Sequence, residues 1–267
     1  SVGDDVAKTP ITPSLMTVTD LKNYQAKKRE PVCTTYRSSY YICTMSPPSS
    51  GGIAIAQSLG ILENFDLAQY GPTNPSNEGG VPSVMGVHLV SEAQRLAYAD
   101  RDKYVADTDF IPLPGKGVST MLDKAYLKQR AALIQPDGKS LGTASAGALG
   151  DVPLGVDKTV ERGTTHFSIV DAYGNVVSMT STVESSMGSF HMVGGFLLTN
   201  QLTDFSAQPA DGAGVPIANR VAPGKRPRST MAPTLVFKGT EPGDFVMATG
   251  SPGGGTIIQY VLKTVVG

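Results

Sequence analysis

Apolar residues recur at helical spacing over residues 84–104, through Met85, Leu89, Ala93, Leu96 and Ala99, and predict a long helix. The same period predicts a helix over residues 53–65, with Ile53, Ala56, Leu59 or Gly60, and Leu62 on one side, and another over roughly 120–133. Thr19 can cap a short helix through Asp20, Leu21 and Tyr24, and residues 1–15 look irregular. The far end of the long pattern, residues 99–103, reads as a solvated charged turn without chemistry. Residues 135–163 are thick with Gly, Ala, Ser and Pro, show no period, and read as a soft linker.

Past residue 164 the period changes to two. Residues 164–171 and 176–183 alternate β-branched or apolar positions with small hydroxyl ones, and Ala172-Tyr173-Gly174-Asn175 carries hairpin turn residues. Centring the loop on Tyr173 sets Val170 opposite Val176, Ser168 opposite Ser178 and Thr164 opposite Thr182. Opposed residues of that kind have Cβ atoms roughly 5 Å apart. Thr164 is expected to open a buried strand. Short apolar strands follow at 195–198, 233–237 and 245–249, then Gly250-Ser251-Pro252-Gly253-Gly254-Gly255 and a helix over 256–265. No internal repeat is visible. Helices, then strands, then a helix fit a layered α+β body, with a mainly helical region 1–163 (its linker at 135–163) and a β-rich region 164–267 closed by a helix.

The 267 residues carry a net charge of −1 and 40% hydrophobic content, enough for a sizeable core and without a bulk pull toward nucleic acid or membrane. No apolar run reaches the length of a membrane span and no signal peptide opens the chain. The chain starts without Met and stops in an apolar run, so it reads as an excised piece of a longer protein. Cys33 and Cys43 are its only cysteines, flanking a β-rich run that can fold back at Ser38. A disulfide suited to an oxidising compartment and a pair of free thiols on neighbouring strands both fit that placement. Two cysteines and three scattered histidines do not make a metal site.

A hydroxyl residue after a soft linker has a chemical use. Cleavage after Gly163 would make Thr164 a chain N-terminus, with its own α-amine as general base beside Oγ, and Thr182 could orient that hydroxyl. Pattern alone favours an ordinary Thr-rich hairpin. Glycines 253–255 before a helix can form a phosphate loop, an oxyanion hole or a plain tight turn, although Thr256 stands where a Walker lysine belongs. Glu184 shares a strand face with Thr182, and Gln201 and Asp204 lie three apart after a strand. Acids and an amide converging there would hold an ammonium, and Ser229 and Thr230 a carboxylate. Taken singly, each is more often a surface or turn residue. His166 and Ser168 share a face but no acid partner is indicated, so His166 reads as a strand residue packing beside the nucleophile.

Several motifs in order, Thr164-Thr165-His166-Phe167-Ser168, Asn200-Gln201-Leu202-Thr203-Asp204-Phe205-Ser206, Lys225-Arg226-Pro227-Arg228-Ser229-Thr230-Met231 and Thr249-Gly250-Ser251-Pro252-Gly253-Gly254, resemble those of the γ-glutamyltransferase family. Leu21-Lys22-Asn23-Tyr24 and Pro47-Pro48-Ser49-Ser50-Gly51-Gly52 are similar to that family's large subunit. The resemblance implies an N-terminal-nucleophile hydrolase with a four-layer αββα sandwich, here partial, spanning the end of the large subunit and most of the small one. It implies autocatalytic cleavage at Gly163–Thr164, Thr164 as nucleophile assisted by Thr182, and Gly253 and Gly254 as oxyanion hole. Glu184, Gln201 and Asp204 would bind the donor's α-ammonium and Ser229 and Thr230 its α-carboxylate, with no cofactor and no metal. The substrate would be glutathione or another γ-glutamyl compound, the acceptor water or an amino acid, and the setting periplasmic or secreted. A guanidinium from the early large subunit, absent from this chain, would complete the carboxylate clamp, so this piece alone is expected to be inactive. Thr230 departs from the family's usual Ser-Ser, the loop 188–195 is short, and the candidate lid 207–221 has no aromatic residue. A glutaryl-β-lactam acylase on the same scaffold and an inactive unprocessed fragment are the other readings.

Overall fold

The computed structural model describes residues 16–74, 76 and 80–267, so the irregular stretch expected over 1–15 lies outside the described residues. The chain divides into two compact units, Ser1–Glu30 and Pro31–Gly267. In the first, helix α1 (Val18–Asn23) is capped by Thr17 and not by Thr19. Thr17 Oγ1 accepts the Asp20 N–H at 3.3 Å, and the Asp20 carboxylate accepts the Thr17 N–H at 2.7 Å. Only Thr17 has an acid three residues downstream, which this reciprocal cap requires.

The second unit opens with a hairpin of β1 (Val32–Tyr36) and β2 (Tyr40–Thr44), turning through Arg37 and Ser38, both at φ 52°. Cys33 pairs with Cys43 across the ladder and the two form a disulfide, Cα to Cα 4.1 Å.

Helix α2 (Gly51–Leu62) was expected to bury one side, but all twelve of its residues are buried. It packs against α3 (Val84–Tyr104) and, further along the chain, α4 (Val118–Met121) and α5 (Lys124–Ala131), as well as against β1 and β2. Glycines allow that enclosure: a Cβ at Gly52 would lie 2.2 Å from the Met45 carbonyl oxygen, and one at Gly60 2.4 Å from Leu127 Cδ1. The single helix expected over 120–133 is two, because Asp123 leaves the helix and caps α5 through the Tyr126 N–H at 2.9 Å.

The expected bounds of α3 are found. Its charged last turn is not solvated, contrary to the sequence reading: Asp100 is 1% and Arg101 4% exposed. Both continue the buried stripe of Leu89, Ala93, Leu96 and Ala97. Asp100 is satisfied there by Gln57 Nε2 (3.0 Å), the Tyr126 hydroxyl (2.5 Å), the Gly147 N–H (2.8 Å) and Arg130 (3.2 Å).

Residues 135–163 form neither helix nor strand, but they are tied down along their length. Glu92 accepts from Ser140 and from the Leu141 N–H, Arg130 donates to the Ser145 carbonyl and Tyr104 to the Gly147 carbonyl, while Asp157 and Glu161 are buried.

Strands β3 (Thr165–Val170) and β4 (Val176–Ser181) pair in the expected register, Val170 with Val176 and Ser168 with Ser178. The expectation of a buried strand fails: Phe167 is 41%, Ile169 55% and Met179 47% exposed. This hairpin is a two-stranded sheet of its own that packs chiefly along one strand of the larger sheet, so most of its apolar surface has no cover among the described residues. A small hairpin, β5 (Met192–Val193) and β6 (Phe196–Leu197), comes next, then β7 (Thr234–Lys238), β8 (Phe245–Thr249) and α6 (Ile257–Val266). Helix α6 turns Ile257, Ile258, Val261 and Leu262 inward against α2.

The main sheet is antiparallel in the order β1-β2-β7-β8. Two of its strands come from before residue 163 and two from after it. The stretches 31–163 and 164–267 therefore share one sheet and one core.

Candidate active site

The segment Glu161–Thr164 runs between two walls. On one side lies the glycine loop before α6: a Cβ at Gly254 would sit 2.4 Å from the Glu161 carbonyl oxygen and 2.7 Å from Arg162 Cα, and the Gly255 N–H donates to that carbonyl at 3.1 Å. On the other side lies the turn after β4: a Cβ at Gly163 would overlap the Glu184 carbonyl, 1.4 Å away. Gly163 takes φ 68°, which suits a residue without Cβ. Thr164 is half-buried, and its hydroxyl donates to the Gly163 carbonyl.

Glu184 is buried at φ 74°, an unfavourable backbone for a side chain, and three contacts hold it. Its N–H donates to Thr182 Oγ1 at 2.7 Å, Oε1 accepts the Arg162 N–H at 2.9 Å, and Oε2 accepts Asn200 Nδ2 at 3.1 Å. The Thr182 hydroxyl thus serves Glu184, and no hydrogen bond joins it to Thr164 among the described residues. Gln201 and Asp204 lie on one 3-10 turn, with Gln201 Nε2 donating to Asp204 Oδ2. Asp204 is 5% exposed, and its Oδ1 has no hydrogen-bond partner. Burial, and then the negative charges of Glu161 and Glu184, push its carboxyl up to about 8. A pocket with this many acids and an unfilled acceptor favours a cation.

The glycine loop has the complementary character. Gly253 is at φ 138° and Gly254 at φ 53°, and neither N–H has a hydrogen-bond partner among the described residues. Thr230, 3% exposed, donates to the Gly254 carbonyl at 2.7 Å, and Tyr98 to the Gly255 carbonyl at 2.5 Å. The peptides that carry the uncommitted N–H groups are held by their own carbonyls, Pro252 accepting Ser251 Oγ at 2.7 Å and Gly253 accepting the Thr256 N–H at 3.0 Å, the preorganisation an oxyanion site needs. Ser229 is half-buried next to Thr230; its backbone is bridged to Ser49, and its Oγ accepts the Met231 N–H at 3.1 Å. Contacts through residues 162–163 thus join Thr164, Thr182, Glu184, Gly254 and Thr230; Gln201 and Asp204 share the charge environment of Glu184, and Gly253 and Ser229 are chain neighbours of Gly254 and Thr230.

No local pattern in the sequence marks the charged layer beneath. Arg101 binds Asp102 at 2.8 Å and also Glu161, while Arg228 reaches Asp157 at 3.1 Å and Glu161 at 3.5 Å. Asn219, fully buried, donates to Asp157 at 2.8 Å and to the Asp204 carbonyl at 2.7 Å, and accepts the Arg228 N–H at 2.9 Å. Burial alone would raise the carboxyl of Asp157, but Arg228 and the Asn219 bond hold it below its ordinary value. His166 lies against Gly250 with Nδ1 2.9 Å from Thr180 Oγ1 and Nε2 3.1 Å from Ser168 Oγ, and burial lowers its pKa. No group of three or more His, Cys, Asp or Glu among the described residues could hold a metal ion, and no described helix is long and apolar enough to cross a membrane.

Known proteins share this architecture. The solved cephalosporin acylase from Bacillus halodurans superposes with a TM-score of 0.72 at 23% identity, covering 94% of this chain and 39% of that one. The two chains share one α+β fold. The chain belongs to the gamma-glutamyltranspeptidase family, whose model matches residues 2–267. It is 41% identical over 261 residues to the glutathione hydrolase proenzyme of Bacillus subtilis (strain 168), covering 94% of this chain and 40% of that protein. It is 34% identical over 249 residues to the acylase ACY 1 proenzyme of Pseudomonas sp. (strain SE83), covering 92% of this chain and 39% of that protein. The chain therefore spans about two-fifths of the length of these curated relatives.

Proposed function

We propose that the complete protein cleaves itself at Gly163–Thr164 and then hydrolyses or transfers the γ-glutamyl group of glutathione and related amides. The observation that carries the reading is the seat of residues 161–164 between the uncommitted Gly253 and Gly254 N–H groups and the acid pocket of Glu184 and Asp204. In the first step Thr164 Oγ attacks the Gly163 carbonyl carbon, and the C–N bond gives way to an ester that water hydrolyses. The freed Thr164 amine then takes the Oγ proton as that oxygen attacks the donor's γ-carbonyl carbon. Gly253 and Gly254 donate to the oxyanion; the C–N bond breaks and the amine leaves with the proton. Water or an amino-acid amine resolves the γ-glutamyl ester. Glu184, Gln201 and Asp204 pair with the donor's α-ammonium, and Ser229 and Thr230 face its α-carboxylate with a guanidinium from an upstream segment of the same precursor. The 267-residue piece alone is inactive on this reading. The Cys33–Cys43 disulfide supports a periplasmic or secreted setting.

Intact-mass analysis of the complete protein tests it: two chains form, the smaller beginning Thr164-Thr165-His166. Thr164→Ala leaves one chain and no turnover. A native protein that stays whole, or a Thr164→Ala variant that keeps substantial activity, overturns the reading.

The likeness to an acylase proenzyme supports a second reading, hydrolysis of glutaryl-β-lactams. Those donors have no α-ammonium. Asp204→Asn separates the two: it weakens turnover of γ-glutamyl anilides under the first reading and is silent on the preferred donor under the second.

A further inference from the structure

Glu161 stands three residues before Thr164 and is held at both its side chain and its backbone. Its side chain is 4% exposed, and Oε1 alone receives both Arg101 Nη2 and Arg228 Nε. Oε2 is buried and has no hydrogen-bond partner. Arg101 is itself fixed by Ser50 Oγ at 2.9 Å and Asp102 at 2.8 Å, and Arg228 by Asp157 at 3.1 Å. The Glu161 carbonyl is seated on the Gly255 N–H at 3.1 Å, and the next N–H, that of Arg162, is held by Glu184 at 2.9 Å.

We propose that Glu161 is a positioning residue for the cleavage at Gly163–Thr164, its carboxylate gripped by Arg101 and Arg228 so that the short tether to Thr164 sets the scissile peptide against the Gly253–Gly254 loop. The inference rests on the cleavage reading above. It makes length, more than charge, the property that matters, because a single oxygen takes both guanidinium contacts.

The test is a mass-spectrometric time course of two-chain formation in the complete precursor. Glu161→Gln keeps the gripping oxygen and the reach, and cleaves within about three-fold of the native rate, whereas Glu161→Asp keeps the charge, shortens the reach and cleaves about ten-fold slower or worse. A role in charge balance alone reverses that order. A glycine inserted between Glu161 and Arg162 leaves the ion cluster whole but lengthens the tether, and it too slows cleavage about ten-fold. Each variant is also melted in the Thr164→Ala background, so that loss of fold is told from loss of cleavage. If Glu161→Asp does not fold, the insertion decides. Native-rate cleavage by the insertion, or the reversed order of Gln and Asp, overturns the proposal while leaving the cleavage reading intact. A native precursor that never cleaves removes both.

Discussion

Asp204 is a carboxylate in surroundings that resist its charge: it is buried, and Glu161 and Glu184 share its pocket. Its carboxyl titrates at about 8 in the folded chain against an ordinary 3.8, so between those values the folded state holds a proton that the unfolded state has lost. The stability this group contributes is full below the ordinary value and is lost as pH rises through about 8. In the uncleaved Thr164→Ala protein, urea unfolding should therefore show stability falling from pH 5 to pH 9, and Asp204→Asn should flatten part of that fall. An unchanged slope in the Asn variant would mean that Asp204 titrates normally. Thr182 invites a related measurement. Its Oγ accepts the N–H of Glu184 at 2.7 Å, so Thr182→Ala leaves Glu184 at its unfavourable φ without that anchor. Loss of one such bond costs about 1 to 3 kcal/mol. Turnover by the complete protein should slow without vanishing, with the Michaelis constant for the donor rising as Glu184 loosens.

Among the elements, α2 carries the sharpest packing constraint, and its glycines differ in what surrounds them. An Ala at Gly52 would meet backbone, the Met45 carbonyl, and at Gly60 only the tip of the Leu127 side chain. Gly52→Ala should cost about 1 to 3 kcal/mol or more, and Gly60→Ala less than about 1 kcal/mol, since Leu127 can rotate and alanine favours helix. Thermal melts of the two variants check the order. The elements also show what the sequence makes legible. Helix α3 was readable from end to end because Leu89, Ala93 and Leu96 keep a strict period. Its charged turn reads as solvated because charged residues usually face water, although Asp100 and Arg101 sit on the apolar stripe. Turn residues set the β3–β4 register, whereas burial depends on neighbours the local sequence does not name. The nine candidate site residues were readable through motif wording. Glu161, Asn219 and Arg228 were not, because their partners are remote: 60 residues separate Glu161 from Arg101, and 67 separate it from Arg228.

For the molecule as a whole, the disulfide and the shared sheet matter most. Cys33 and Cys43 close a short loop between the edge strand β1 and its neighbour β2 in the main sheet. A non-reducing digest should link their peptides, and Cys33→Ser with Cys43→Ser should lower unfolding stability by about 2 to 3 kcal/mol. Free-thiol labelling of both cysteines in unreduced protein would contradict the bond. The sheet has a consequence for a cut chain. Strand β2, from before Gly163, is hydrogen-bonded to β7, from after it, along Tyr40–Lys238 through Thr44–Thr234. Scission at Gly163–Thr164 would leave that ladder whole, so dilution would not part the pieces, and they should elute together from a sizing column. Denaturant alone would separate them. Their recovery afterwards would then be second order, with a half-time that shortens as the pieces are concentrated, while the uncut chain regains its fold at a rate indifferent to concentration.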